Sequence, residues 1–90
     1  MAKSADKEAF RRGIQERLKA ARVAAGFTQE QFADELGIDV KTYAKYESRS
    51  KSVLPIEFWP HVCTVLDLDP WFFMTGAGEE AVRGRIRRVK

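Results

Sequence analysis

The chain has 90 residues, 16 of them lysine or arginine and 13 aspartate or glutamate, and 44% are hydrophobic, which describes one ordinary globular domain around a single modest core. A chain of this size buries about 60–65% of the surface its unfolded form exposes, enough to fold without a disulfide or a metal. The apolar content and a net charge of only +3 exclude the disordered class, and no apolar run approaches the roughly 20 residues of a membrane span.

Taken in chain order, helical spacing dominates. Phe10, Ile14, Leu18, Ala21 and Ala25 recur at steps of four, four, three and four residues, which aligns them on one helical stripe, with Arg11, Arg12, Gln15, Glu16 and Lys19 mostly off it. Gly13 costs up to about 1 kcal/mol relative to alanine inside a helix, so fraying is expected before it. Gly26 supplies the left-handed residue that ends a helix.

Thr28 followed by Gln31 is a capping box, flanked by Phe27 and Phe32 in the positions of a hydrophobic staple. They predict a short helix from 29 to about 36, ended by Gly37. Asp39 then caps a third helix from 40 to about 47. Residues 48–54 are polar and basic, a loop by composition. A fourth helix is expected over 58–66, because Pro60 is tolerated in a first turn, where its missing N–H has no partner to lose. Pro70 opens a short helix or turn through Phe73, closed by Gly76. The expected architecture is all-α, a compact bundle of five helices over residues 1–78 with a partly ordered basic tail at 79–90, and no internal repeat.

Charge placement carries more information than its sum. Lys41, Lys45, Arg49 and Lys51 face only Asp39 and Glu47 over residues 39–53, and the tail sets Arg83, Arg85, Arg87, Arg88 and Lys90 against Glu79 and Glu80, whereas Glu30, Asp34 and Glu35 gather just upstream. Such alternation suits a polyanion read by one face, and solvated surface charge accounts for it equally well. His61 and Cys63 sit two apart on a helix and point about 200° away from each other, so they cannot share a ligand or a proton. They are the only histidine and cysteine, which leaves no zinc set and no catalytic pair. Cys63 reads as a small core residue, and a lone cysteine fits a reducing compartment. No glycine-rich phosphate loop and no paired carboxylates are present. The sequence therefore does not read as an enzyme, and no cofactor, metal or small-molecule substrate is expected.

Two short helices joined through Gly37, Ile38 and Asp39 make a helix-turn-helix. Ala33 allows close approach of the pair, Ile38, Tyr43 and Tyr46 are placed inward, and Val40, Lys41, Ala44 and Lys45 are left outward, a small basic face of the kind a major groove admits. The ordered set Arg17-Leu18-Lys19, Arg22, Gly26-Phe27-Thr28-Gln29, Phe32-Ala33, Leu36-Gly37-Ile38, Tyr43 and Tyr46-Glu47 resembles the Cro/CI-type (XRE) helix-turn-helix family of phage repressors. Val62-Cys63, Val65-Leu66, Leu68 and Phe72-Phe73-Met74-Thr75-Gly76 look like that family's fourth and fifth helices, so the resemblance spans residues 14–76.

The resemblance implies a lambda-repressor-like fold and sequence-specific binding of duplex DNA by a small regulator, most simply a repressor. It places Thr28 and Gln29 at a phosphate contact, Val40, Lys41, Thr42 and Lys45 at bases or the adjacent backbone, and Ser48, Arg49 and Lys51 in a phosphate-gripping loop. Arg22 and Glu47 match a buried salt bridge. Two departures stand out: Arg49 occupies a position that is usually glycine, and the loop before Phe58 is longer, so the third helix could run on or leave differently. Pro70, Trp71 and Phe72 are candidate dimer contacts, because family members commonly pair near this helix, although the whole aromatic run could equally be core. The implied partners are DNA and a second copy, with no membrane, in the cytoplasm of a prokaryote or as a phage product. An antitoxin or restriction-modification controller that autoregulates its operon, and a protein-interaction adaptor that has lost DNA binding, are the competing functions.

Overall fold

Residues 3–76 are described by a computed structural model. The basic tail read at 79–90 lies outside them. The first helix, α1 (Lys3–Ala24), is followed by α2 (Gln29–Leu36), α3 (Val40–Glu47), a 3-10 turn (Ile56–Phe58), α4 (Trp59–Leu66) and α5 (Pro70–Thr75). The described residues are thus all-helical, with five α-helices.

α1 runs 22 residues without interruption through Gly13, so the expected fraying is absent. The reason lies far away in sequence. A Cβ at Gly13 would stand 2.9 Å from Arg17 Nη2, and Arg17 uses that room to donate from Nε to the Phe73 carbonyl (2.8 Å) and from Nη2 to the Met74 carbonyl (3.0 Å). The guanidinium thereby satisfies carbonyls at the C-terminal end of α5, where a cation also complements the helix dipole. Along the predicted stripe Ile14, Leu18 and Ala21 are buried, but Phe10 is exposed because the bundle covers the C-terminal half of α1, and Ala25 is exposed in the turn beyond the helix.

The core joins α1 to every later element through Leu18, Phe32, Tyr43, Leu54, Val62, Leu66 and Phe73. Phe32 is its aromatic centre, edge-on to Phe27 at 5.3 Å and to Tyr43 at 5.5 Å between ring centroids. α4 begins with Pro60 in its first turn and ends on Asp67, which adopts the left-handed conformation (φ 56°) without being glycine. Asp69 caps α5 by accepting from the Trp71 amide at 2.9 Å. Within α5 the aromatic run divides by helical geometry. Phe72 and Phe73 point inward, with Phe72 only 4% exposed and edge-on to Phe73, while Trp71 is 60% exposed and Met74 also lies outside. Phe72 is therefore a core residue and not a dimer contact, since a ring buried in its own domain has no area left for a second subunit.

Candidate nucleic-acid interface

The helix pair α2–α3 is set by its caps. Gln31 N donates to Thr28 Oγ1 at 3.0 Å, and Gln31 Oε1 accepts from Thr28 N at 2.9 Å, so the capping box closes in both directions. Gly37 ends α2 in the left-handed conformation (φ 72°), and the amide of Ile38 reaches back to the Ala33 carbonyl at 3.0 Å. Asp39 accepts from the amides of Lys41 (2.9 Å) and Thr42 (3.4 Å). Its carboxylate is thereby committed to starting α3.

Of the residues assigned to the reading face, Lys41, Thr42 and Lys45 are exposed. Val40 is half-buried and packs against the core cluster, so part of its side chain holds α3 in place rather than facing outward. Tyr43 is buried, and Ile38 and Tyr46 pack against the core beside it.

The junction of α1, α2 and α3 is a buried polar cluster around Glu47. Arg22 donates from Nε to Glu47 Oε2 at 2.6 Å and from Nη2 to Oε1 at 3.1 Å, with both side chains largely out of solvent. Its third nitrogen, Nη1, donates to the Phe27 carbonyl at 2.6 Å and so ties down the turn between α1 and α2. The Tyr43 hydroxyl donates to Glu47 Oε2. The bond to Glu47 holds the Arg22 guanidinium more firmly protonated than usual, and burial, reinforced by that same carboxylate, raises the Tyr43 hydroxyl well above the ordinary tyrosine range.

Gln29 completes the cluster: its Nε2 donates to Glu47 Oε1 at 3.1 Å. An amide nitrogen carries two hydrogens, so one remains uncommitted while Glu47 fixes its direction. Thr28 and Gln29 thus stand at the start of α2, with the Thr28 backbone held by the capping box and the Gln29 side chain by Glu47.

α3 stops at Glu47 despite Arg49 standing where glycine is usual, and Ser48 leaves in an extended conformation (φ −90°, ψ 173°). Serines end the helix instead. Ser48 Oγ and Ser50 Oγ donate to the Lys45 carbonyl at 3.2 and 2.7 Å, and Ser52 N donates to Ser50 Oγ at 3.1 Å. The loop is then clamped to α1 by Gln15, whose Nε2 donates to the carbonyls of Ser50 (3.0 Å) and Ser52 (2.7 Å). Gln15 is only 2% exposed. Its position between Ile14 and Glu16 gives no sequence signal for this role, because its acceptors lie more than thirty residues away. Ser48, Arg49 and Lys51 remain exposed on this fixed loop.

A second surface lies away from α3. Ile56 is 77% exposed, and Trp71 and Met74 are also outside. Ile56 and Met74 border an apolar groove of about 480 Å³ that Val53, Trp59, Pro70 and Phe73 also line. Cys63 sits half-buried on the same groove, its thiol pushed up by burial and secondarily by Asp69. His61 is not beside Cys63's face but pairs with Glu35 of α2 at 3.6 Å, both largely exposed. Among the described residues no helix is long and apolar enough to cross a membrane.

A family model described as a helix-turn-helix domain matches residues 15–79. No curated protein and no solved structure matches the chain. The family match begins at Gln15, the α1 residue that clamps the loop, and covers well over half of the chain, including all of α2 to α5. With the capped α2–turn–α3 unit and the polar junction that fixes it, this makes the chain a member of the helix-turn-helix domain family.

Proposed function

We propose that the protein binds duplex DNA sequence-specifically, with α3 in the major groove, and serves as a small transcriptional regulator of the Cro/CI (XRE) type, most simply a repressor. The observation that carries this reading is the exposed face of α3: Lys41, Thr42 and Lys45 lie free on a helix whose opposite side is locked to the scaffold through Tyr43 and Glu47. A rigid helix with a small basic face fits the width of the groove. Thr28, Gln29, Ser48, Arg49 and Lys51 flank it on both sides, where phosphates of the two backbones pass. Lysine at 41 toward guanine and the Val40 methyls against thymine are the base contacts this face offers.

So short a set of base contacts favours two copies on a two-fold site, with reading helices about 34 Å apart. Pro70 and Trp71, beside Ile56 and Met74, provide the apolar area for a second copy. The reading is of a binding protein and not an enzyme, with DNA and its own copy as partners, acting where DNA is found in the cytoplasm of a prokaryote or its phage. The exposed Lys41, Lys45, Arg49 and Lys51 along α3 and its exit support this reading over an adaptor that has lost DNA binding. An antitoxin or restriction-modification controller would use the same surface on its own operon.

Selection from a random duplex pool tests the proposal. It should enrich one site with two-fold symmetric half-sites, bound by two protomers, and Trp71→Ala should weaken the second binding step. Retention of all sequences alike would refute specific reading, and one protomer per enriched site would refute the paired arrangement.

A further inference from the structure

The loop leaving α3 does not end the basic surface. It folds back onto α1, and between them lies a cleft of about 240 Å³ lined by Glu8, Arg11, Arg12, Gln15, Arg49, Ser50 and Lys51. Four cations, two from the helix and two from the loop, face one carboxylate. Neither the helix-turn-helix unit nor the core requires them there. None of the four side chains makes a hydrogen bond or ion pair with another described residue.

The arrangement is held rather than accidental. Gln15, buried beneath the cleft, bonds two loop carbonyls, which keeps Arg49 and Lys51 opposite Arg11 and Arg12. Arg11 is itself half-buried. Four cations held near one another against a single carboxylate repel, and a polyanion removes that repulsion while releasing its own condensed ions. Arg49 also borders a second concavity at the end of α3, lined by Glu16, Lys19, Glu47 and Ser48 as well. The exposed cations of the α3 exit, Arg49 and Lys51, are thus joined by Arg11 and Arg12 on the first half of α1.

We propose that Arg11 and Arg12, with Arg49 and Lys51, form a phosphate site for the duplex backbone beside the major-groove contact, so that α1 grips DNA alongside α3, with Gln15 as the residue that positions the loop. The proposal rests on the DNA-binding reading above. It makes the N-terminal half of α1 part of the interface, although only Gln15 of the cleft's α1 residues falls within the family match. Arginine suits the task because its planar fork meets phosphate oxygens in pairs.

The test compares Arg11→Gln/Arg12→Gln with the unaltered chain in duplex-binding titrations over a range of salt. Glutamine retains the helix propensity of these positions, and circular dichroism checks the fold. Loss of two phosphate contacts should flatten the plot of log affinity against log salt by about two, with the order of preference among sequences unchanged. Glu8→Gln removes the opposing carboxylate and should act in the other direction, tightening binding to every duplex. An unaltered slope in the double variant, with the parent chain binding DNA normally, overturns the α1 site and leaves the α3 reading standing. If the parent chain binds no duplex, both fall. Inorganic pyrophosphate serves as the free-anion probe. If it raises the melting temperature of the parent but not of the double variant, while the salt slopes coincide, the cleft takes a free anion and the backbone assignment is wrong.

Discussion

The Arg22–Glu47 pair bears most directly on how α3 is held, and a double-mutant cycle measures it. Arg22→Met leaves Glu47 buried with only Tyr43 and Gln29 as donors, and Glu47→Leu leaves the Arg22 guanidinium facing apolar carbons with the Phe27 carbonyl as its remaining partner. Removing one member of a buried pair costs about 3–5 kcal/mol, because the other charge is stranded. The double variant strands no charge. It still orphans the Tyr43 hydroxyl and the Phe27 carbonyl, at about 1–3 kcal/mol for a group left unsatisfied. At mid-range values the two single costs therefore exceed the double by about 4 kcal/mol. Urea denaturation at several protein concentrations reads these values, with constant m confirming two-state unfolding. A coupling under about 1 kcal/mol, the range of exposed pairs, would refute the view that this junction locks α3 to α1.

Other consequences follow from single residues. Lys51→Ala should weaken binding to all duplexes alike and reduce the salt slope by about one, whereas Lys41→Ala should relax preference at one base pair by roughly 1–3 kcal/mol; loss of affinity without any change of preference in both would show that α3 is not the reading helix. Tyr43 has a raised folded-state pKa relative to the ordinary value of 10.0, so the unfolded chain loses this proton first: the contribution is complete below about pH 10 and declines above it by up to about 1.4 kcal/mol per pH unit. Tyr43→Phe should remove that alkaline decline, and parallel stability curves for the two proteins between about pH 9 and 11 would refute the assignment. Gly13→Ala should fail to give the usual gain of about 1 kcal/mol in the parent, since its Cβ displaces Arg17, but should give it in an Arg17→Ala background. Equal gains in both backgrounds, read as melting temperatures, would show that Arg17 does not need the space.

What could be read from the sequence was what depends on near neighbours. The capping box of Thr28 and Gln31, the Phe27–Phe32 contact, the Asp39 cap and the glycine at 37 each involve residues a few positions apart, and each closes with the geometry its spacing implies. Gly13 and Gln15 were opaque for the opposite reason. Gly13 is explained by Arg17's bonds to α5, and Gln15 by carbonyls of a loop beyond α3, partners that no local pattern reveals. Phe72 and Trp71 show the same limit on a smaller scale. An aromatic run announces a helix with a buried side, but which ring is inward depends on where α5 meets α1 and α4. The α3 exit lay between these cases. The loss of glycine at 49 was visible, yet the serine hydroxyls that replace its function were not distinguishable from solvent-exposed polar residues.

The same long-range contacts that were hidden are the ones that hold these short helices in a fixed arrangement. α2 and α3 have eight residues each, below the length at which an isolated helix is stable in water. Their caps, the turn at Gly37 and the Phe32–Tyr43 contact set them against each other, and α1 adds polar ties that hold the pair to the scaffold. Through Arg22 it holds the turn into α2 and the end of α3, through Gln15 it holds the loop beyond, and through Arg17 it holds the end of α5. Three polar side chains on one helix thus reach four separate segments by hydrogen bonds. Directional bonds of this kind fix geometry in a way that apolar packing alone does less well in so small a core. Shortening Gln15 should therefore disturb the placement of the loop that carries Arg49 and Lys51 more than the folding of the core, whereas shortening Arg22 strands Glu47 and costs fold stability as well.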